Sequence, residues 1–252
     1  MDPDLRDFVD SQRNAIAWHG KFPAFHVFKA AIGWDPSSTG AIDDSALVVV
    51  ESIREPIEPA DGVDWFDPRT NRQRLGPQIL HVRGAKILPQ NTPWPAQWGM
   101  VRNYFDATQR KSKAPVELVM DYTGLGNALA GFAYSVGLHP TKIQIHGGDK
   151  TTFDRIWRVP KSVLANLWSA HEQDGSLKFP VNVKNPDPVI VMLTQQLQTF
   201  IVTTTAAGSA TYAAQGNLKD DLALALMYAI FVLSDKRESY HYSTSELMAS
   251  FS

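Results

Sequence analysis

Along this chain, apolar residues gather first in short β-branched runs and later in longer, helically spaced ones, with polar loops between. The run that ends at Asp35 (FHVFKAAIGWD) reads as a strand, and residues 45–52 (SALVVVES) as a second. The turn of small residues between them is short, which predicts an antiparallel hairpin. Residues 54–77 are rich in Pro, Gly, Asp and Arg and read as a long loop or surface insertion. Residues 78–88 (QILHVRGAKIL) complete a meander. Pro93 and Pro95 mark a helix start, and residues 96–108 carry an amphipathic pattern. Residues 116–120 form a buried strand ending on Asp121, and Thr123, Gly124 and Gly126 then turn the chain into a helix at 127–136. Residues 141–146 give a fifth strand, followed by a polar loop to Pro160. Helices follow at 161–172, with Gly175 as the stop, and at 186–200; residues 201–205 are β-rich and 209–214 suit a short strand. A closing helix covers 219–233. Residues 1–27 read as an arm or linker, 28–234 as one domain and 235–252 as a polar tail.

Meander strands pair antiparallel, whereas the fourth and fifth strands follow helical crossovers and should lie parallel to the first. The predicted fold class is α/β: an RNase H-like mixed five-stranded sheet, three strands antiparallel and two parallel, flanked by helices. Composition is ordinary for a globular domain, with 252 residues, 44% hydrophobic and 20% charged. With no cysteine, disulfides and thiolate metal sites are excluded. The acidic start, MDPDLRDFVD, lacks the apolar segment of a signal peptide, and no window is apolar enough to span a membrane. A net charge of −2 gives no global sign of nucleic acid, so a DNA substrate would require a local basic face.

The chemistry lies in three acidic points. Asp35 and Asp121 end strands, and Asp220 with Asp221 opens the closing helix. Each alone reads as a turn former or helix cap. Together they fall at matching ends of elements expected to adjoin, where carboxylates repel unless a divalent cation lies between them. Hard oxygen ligands suit Mg²⁺ or Mn²⁺, and two such ions can activate water and stabilise the leaving oxygen of a phosphodiester. Asp35, Asp121, Asp220 and Asp221 are therefore candidate ligands. Helix neighbours diverge by about 100°, so Asp220 and Asp221 cannot face one metal equally. Ala225 and Tyr228 share the Asp221 face, and small Ala225 lets the helix approach the strands. Asp221 is thus expected to reach the shared metal, with Asp220 at its edge. The basic residues Arg69, Arg72, Arg74, Arg83, Lys86, Arg110, Lys111, Lys113, Arg155, Arg158 and Lys161 read mostly as solvated surface. Among them Arg83, Arg158 and Lys161 are the expected DNA contacts, through phosphates. Three other motifs fail on spacing: GLGNALAG has Leu129 where a dinucleotide fingerprint needs its third glycine, GGDKTT is not a phosphate loop, and the histidines form no zinc motif.

The segments IGWDPSSTGAIDDSALVVV, VMDYTGLGNALAG, QIHGGDKTTFDRIWRVPKSVLANL and GNLKDDLALALMYA, in this order, resemble the nuclease domain of tailed-phage large terminase subunits. The resemblance covers roughly residues 28–233. It implies an RNase H-like fold and metal-dependent cleavage of double-stranded DNA during genome packaging, in the host bacterial cytoplasm. By motif, Asp35 matches the first-strand acid, Asp121 the acid before T-G-x-G, and Asp220 and Asp221 the paired acids of the last helix. Asp35, Asp121 and Asp221 are then the catalytic set, and Asp43 matches an accessory acid. The helix from Asp221 also resembles the last-acid helix of Holliday-junction resolvases, which leaves a structure-selective resolvase as an alternative, and a non-catalytic DNA-binding module as another. Two departures stand out. Lys219 occupies a position where many members have His, and no phosphate loop exists for the ATPase motor. The chain is therefore expected to be a nuclease half, cut from a longer protein or separately encoded, whose implied partners are the ATPase domain, the small terminase subunit and the portal.

Overall fold

The computed structural model describes residues 26–38, 43–54, 66–67, 72–73, 76–112, 114–123, 126–180, 185–204, 210–214 and 219–234. In chain order these form β1 (His26–Asp35), β2 (Ser45–Arg54), β3 (Phe66–Asp67), β4 (Arg72–Gln73), β5 (Ile79–Leu88), α1 (Trp94–Ser112), β6 (Val116–Asp121), α2 (Gly126–Ser135), β7 (Thr141–His146), β8 (Thr152–Asp154), β9 (Ile156–Pro160), α3 (Lys161–Gln173), β10 (Leu177–Lys178), α4 (Pro188–Thr199), β11 (Phe200–Thr204), β12 (Ala210–Ala214) and α5 (Asp221–Leu233). The expected arm and tail lie almost wholly outside the described residues, as does most of the 54–77 insertion.

The main sheet has the order β10-β5-β2-β1-β6-β7-β9-β8. Its centre is the predicted mixed arrangement. β1 pairs antiparallel with β2, β2 with β5, and β1 parallel with β6, which pairs parallel with β7. The expectation of five strands is corrected to eight. Residues 147–160, read as a loop, contain the β8–β9 hairpin, and β9 extends the parallel array beyond β7. β10 adds a two-residue parallel edge to β5. β10, at two residues, is shorter than the window in which alternation is detectable.

Strand alternation sorts the central side chains into two layers. Ala31, Ala46, Val48, Leu80, Val82 and Val119 face a core completed by α3, α4 and α5. Ile32, Trp34, Leu47, Val49, Leu118 and Met120 face the other core, under α1 and α2. There Trp34 and Trp98 meet edge to face with centroids 4.7 Å apart, and Trp34 Nε1–H donates to Ser45 Oγ at 2.9 Å.

α5 is the central helix, and all 13 of its residues are buried. Such a helix is apolar all round because it is enclosed all round. Its seat on β1 is set by Gly33. A Cβ there would lie 1.7 Å from the Ala225 carbonyl oxygen and 3.1 Å from the Ala229 nitrogen, so the helix backbone rests directly on the strand backbone.

Candidate active site

β1 and β6 run parallel in a register that sets Gly33 opposite Val119 and Trp34 opposite Met120. One residue further, both strands end on an aspartate: Asp35 and Asp121. By alternation these two share the face of Ala31 and Val119, on which α5 lies. α5 begins with Asp221 one turn before Ala225, so the Gly33–Ala225 contact brings the helix start to the strand ends. The sequence expectation for Ala225 is met by the packing.

The helix-cap reading of the two acids at this start does not hold. Asp220 occupies the N-cap position without a side-chain cap bond. The first-turn N–H groups of Leu222 and Ala223 donate instead to Gln196 Oε1 of α4, at 2.9 and 3.1 Å. Both aspartates are thereby free for other work. Asp221 Oδ2 accepts from the Asp44 backbone N–H at 3.2 Å. Asp220 Oδ2 pairs with Lys161 Nζ at 2.9 Å.

The electrostatics follow from this crowding. Burial holds the Asp35 carboxyl well above its usual range, the charges of Asp121, Asp221 and Asp220 push further upward, and Lys161 opposes them. Burial likewise raises Asp121, against hydrogen bonds from Thr123 and Tyr122. The Thr123 N–H donates to Asp121 Oδ1 at 2.7 Å and the Thr123 hydroxyl accepts from the Ile145 N–H at 2.9 Å, which pins the chain just after the strand. Asp221 is raised to about 6, by burial first and then by Asp43, Asp44 and Asp220, with the Asp44 N–H opposing. Asp43 is exposed at the rim and acts on Asp221 through charge alone.

Two side chains complete the site that the search for acids did not assign. Tyr228, two turns along α5 from Asp221, is fully buried, and its hydroxyl has no well-formed hydrogen bond. Its titration is raised by burial and then by Asp35, Asp121 and Asp220, which places the phenol against the carboxylates. Lys219, at the position noted for histidine, pairs with Asp44 at 2.9 Å. Lys161, expected on DNA, is engaged with Asp220 and lies 5.4 Å from the Phe200 ring centroid. It starts helix α3, where a cation is locally unfavourable, and the acidic cluster accounts for its presence.

Arg83, the second expected DNA contact, is elsewhere. The β2–β5 register skips Arg83 as a bulge, and its side chain is 6% exposed with Nε bonded to Glu51 at 2.6 Å. It lies on the α1 face and cannot reach a phosphate from there. Arg158, on β9, is exposed as expected.

Among the described residues, no three acidic or histidine side chains converge into a preformed metal cage. The aspartates share one end of the sheet while standing apart, as like charges do. The residue chemistry nonetheless fits a hard cation. The donors are all oxygen, the carboxylates outnumber the nearby lysines, and the buried Tyr228 phenol is set against Asp121.

The fold is shared with solved terminase nucleases. The human cytomegalovirus terminase nuclease domain matches with a TM-score of 0.56 at 11% identity, covering 95% of this chain and 97% of that one. Its Mn-soaked form gives 0.52 at 11%, with the same coverage. The large terminase nuclease from thermophilic phage G20c, with bound cobalt, gives 0.50 at 16%, covering 83% of this chain and 88% of that one. No protein-family profile matches the chain, and no characterised sequence does. At such identities the likeness establishes the architecture, an RNase H-like fold, and nothing finer.

Proposed function

We propose that this chain is the nuclease domain of a phage terminase large subunit, a metal-dependent endonuclease that cuts double-stranded DNA during genome packaging. The observation that carries the reading is the meeting of Asp35, Asp121 and Asp221 on one face, at one end of the sheet, with raised titration in all three. Uncompensated buried carboxylates are costly, and such clusters mark functional sites. The shared fold, with relatives solved in cobalt- and Mn-containing forms, supports the same reading.

Asp35, Asp121 and Asp221 would hold Mg²⁺ or Mn²⁺, with Asp220 at the edge of a two-ion site and Asp43 as an outer acid. Divalent ions held there would supply an activated water and charge stabilisation for the leaving oxygen. Each protein group has a distinct part. Thr123 fixes the Asp121 carboxylate through its N–H. The Asp44 N–H fixes Asp221. Lys161 is paired with Asp220, which would leave Asp221 as the principal helix ligand. Tyr228 excludes water behind the carboxylates. Arg158 remains the candidate phosphate contact of the three first named. The reading also takes the ATPase domain, small subunit and portal as partners, and the host bacterial cytoplasm as the place of action; among the described residues no helix is long and apolar enough to cross a membrane.

Plasmid cleavage in Mg²⁺ or Mn²⁺ tests this. Wild type is expected to cut with little sequence preference, Asp35→Asn and Asp121→Asn to fall to background while folded. Asp221→Ala should lose activity, and Asp220→Ala should lose less at the same Mn²⁺ concentration. Wild-type-rate cutting by folded Asp35→Asn would sink the assignment, and a reversed ranking would pass the helix ligand to Asp220.

A further inference from the structure

A second feature lies outside the acidic site. Between the C-terminal end of α2, the start of β7 and the β8–β9 hairpin is an open groove of about 520 Å³. Among the described residues, Lys142, Arg155 and His139 line it, with no carboxylate, together with the rings of Tyr134 and Phe153. Both rings are unusually open for their size, at 63% and 53% exposure. Phe153 lies against buried Trp157 at a centroid distance of 4.7 Å, and Tyr134 against the edge of His139 at 5.4 Å. Arg155 forms the whole reversal between β8 and β9, where Asp154 pairs with Ile156, and holds a left-handed φ of 56° without being glycine. Strain of that kind in a non-glycine residue persists where the surroundings enforce it.

The groove's cations continue along the face of the sheet opposite the aspartates. Lys142 Nζ lies 5.1 Å from the ring centroid of Tyr122, the residue after Asp121. By register and alternation, Lys142 and Gln144 of β7 share a face with Arg158 of β9, which pairs with Gln144. The result is a cationic path running from the groove along β7 and β9.

From this geometry we infer that the groove takes an unpaired nucleotide of the DNA strand, with the base stacked on Tyr134 or Phe153 and its phosphates against Lys142 and Arg155. Exposed rings with flanking cations suit a base with its phosphate and disfavour a purely apolar partner. An unpaired base is specified because ring faces are inaccessible within a stacked duplex. The inference rests on the nuclease reading and extends it to a strand-holding site away from the cut.

The test uses the full chain in EDTA, with a fluorescein-labelled single-stranded 20-mer and the matching duplex, by anisotropy. A Tyr134→Ala/Phe153→Ala variant should lose about tenfold in single-strand affinity, the loss of one stacked base, and much less on the duplex. A Lys142→Gln/Arg155→Gln variant should lower the log–log salt slope on single strands by about 1.4, for two contacts at about 0.7 each. Both should melt close to wild type, since Tyr134, Phe153 and Arg155 are exposed and Lys142 is only half-buried. Wild-type single-strand affinity in both variants would overturn the groove, as would unchanged affinity with a shift from dimer to monomer in sedimentation, which would assign the groove to a second copy. The two readings fail separately: a wild type that cuts plasmid while both variants bind normally removes the groove alone, whereas a wild type that neither binds nor cuts DNA removes the nuclease reading.

Discussion

Glu51 and Arg83 sit on neighbouring strands under α1 as one acid with one base, buried and bonded at 2.6 Å. Across the sheet, Asp35, Asp121 and Asp221 gather beneath the start of α5 with no ion-pair partner among the described residues; Lys161 is paired with Asp220 and Lys219 with Asp44. The sheet therefore buries charge in two ways. The first arrangement is closed: each charge has its complement inside the protein, and removing either leaves a buried ion alone. The second is open: its complement must come from outside, and until it does the carboxylates are held above their normal titration range. Closed charge is a structural device, and open charge marks the place where a ligand completes the fold.

The largest contrast between them comes from neutralising each. Arg83→Met should cost about 3–5 kcal/mol, because Glu51 is left buried and unpaired. At roughly 2–4 °C per kcal/mol for a chain of this size, the melting point should fall by about 10 °C. Asp35→Asn should act in the opposite sense, with cleavage gone and the metal-free melting point equal to wild type or higher, because a repelled charge has been removed. Calorimetry of the two variants beside wild type checks both, and a destabilised Asp35→Asn would erase the distinction.

A smaller effect should follow from the joint that brings the open site together. Gly33→Ala places a methyl 1.7 Å from a helix carbonyl oxygen, which belongs to backbone and cannot swing away. Overpacking of this kind costs about 1–3 kcal/mol and should lift α5 from β1. Cleavage should then fall further than stability does, because Asp221 moves with the helix. Metal-dependent cutting at the wild-type rate by the folded variant would show that the site does not depend on this contact.

The smallest effect is one of pH. Asp221 titrates at about 6 in the folded chain against a usual 3.8. The folded state therefore binds this proton more tightly than the unfolded one. The group stabilises the metal-free protein below its usual value, and that contribution is lost as pH rises from 3.8 to about 6, by at most ~3 kcal/mol. The metal-free melting point should accordingly decline across that interval more steeply in wild type than in Asp221→Asn. Parallel curves would mean that Asp221 is not held against its neighbours.

Much of this was legible in the sequence, for reasons that also explain the gaps. β1, β2, β5, β6 and β7 are β-branched runs of six to ten residues, long enough to be read, and their terminal acids could be placed once parallel pairing was assumed. β9 ends on Pro160 and follows a polar stretch that reads as loop, and β10 has two residues, too few for a detectable period. Arg83 was misplaced because it stands at a bulge, where alternation no longer tells which face a residue takes, and because its partner is 32 residues away. Lys161 read as a phosphate contact because its ion pair with Asp220, 59 residues away, leaves no local signal. Gln196, which caps α5 from another helix, left no local signal at all. Tyr228 did leave one, its position seven residues after Asp221, and only the buried carboxylates gave that spacing a meaning.

The central claim is that the open charge at the sheet end is a divalent-metal site. A crystal of the chain soaked in Mn²⁺, with an anomalous difference map, tests it most directly. The account predicts anomalous peaks among Asp35, Asp121 and Asp221, with none in a crystal of Asp35→Asn soaked in the same way. A map with no peak at these carboxylates, or with its strongest peak elsewhere on the protein, would contradict it.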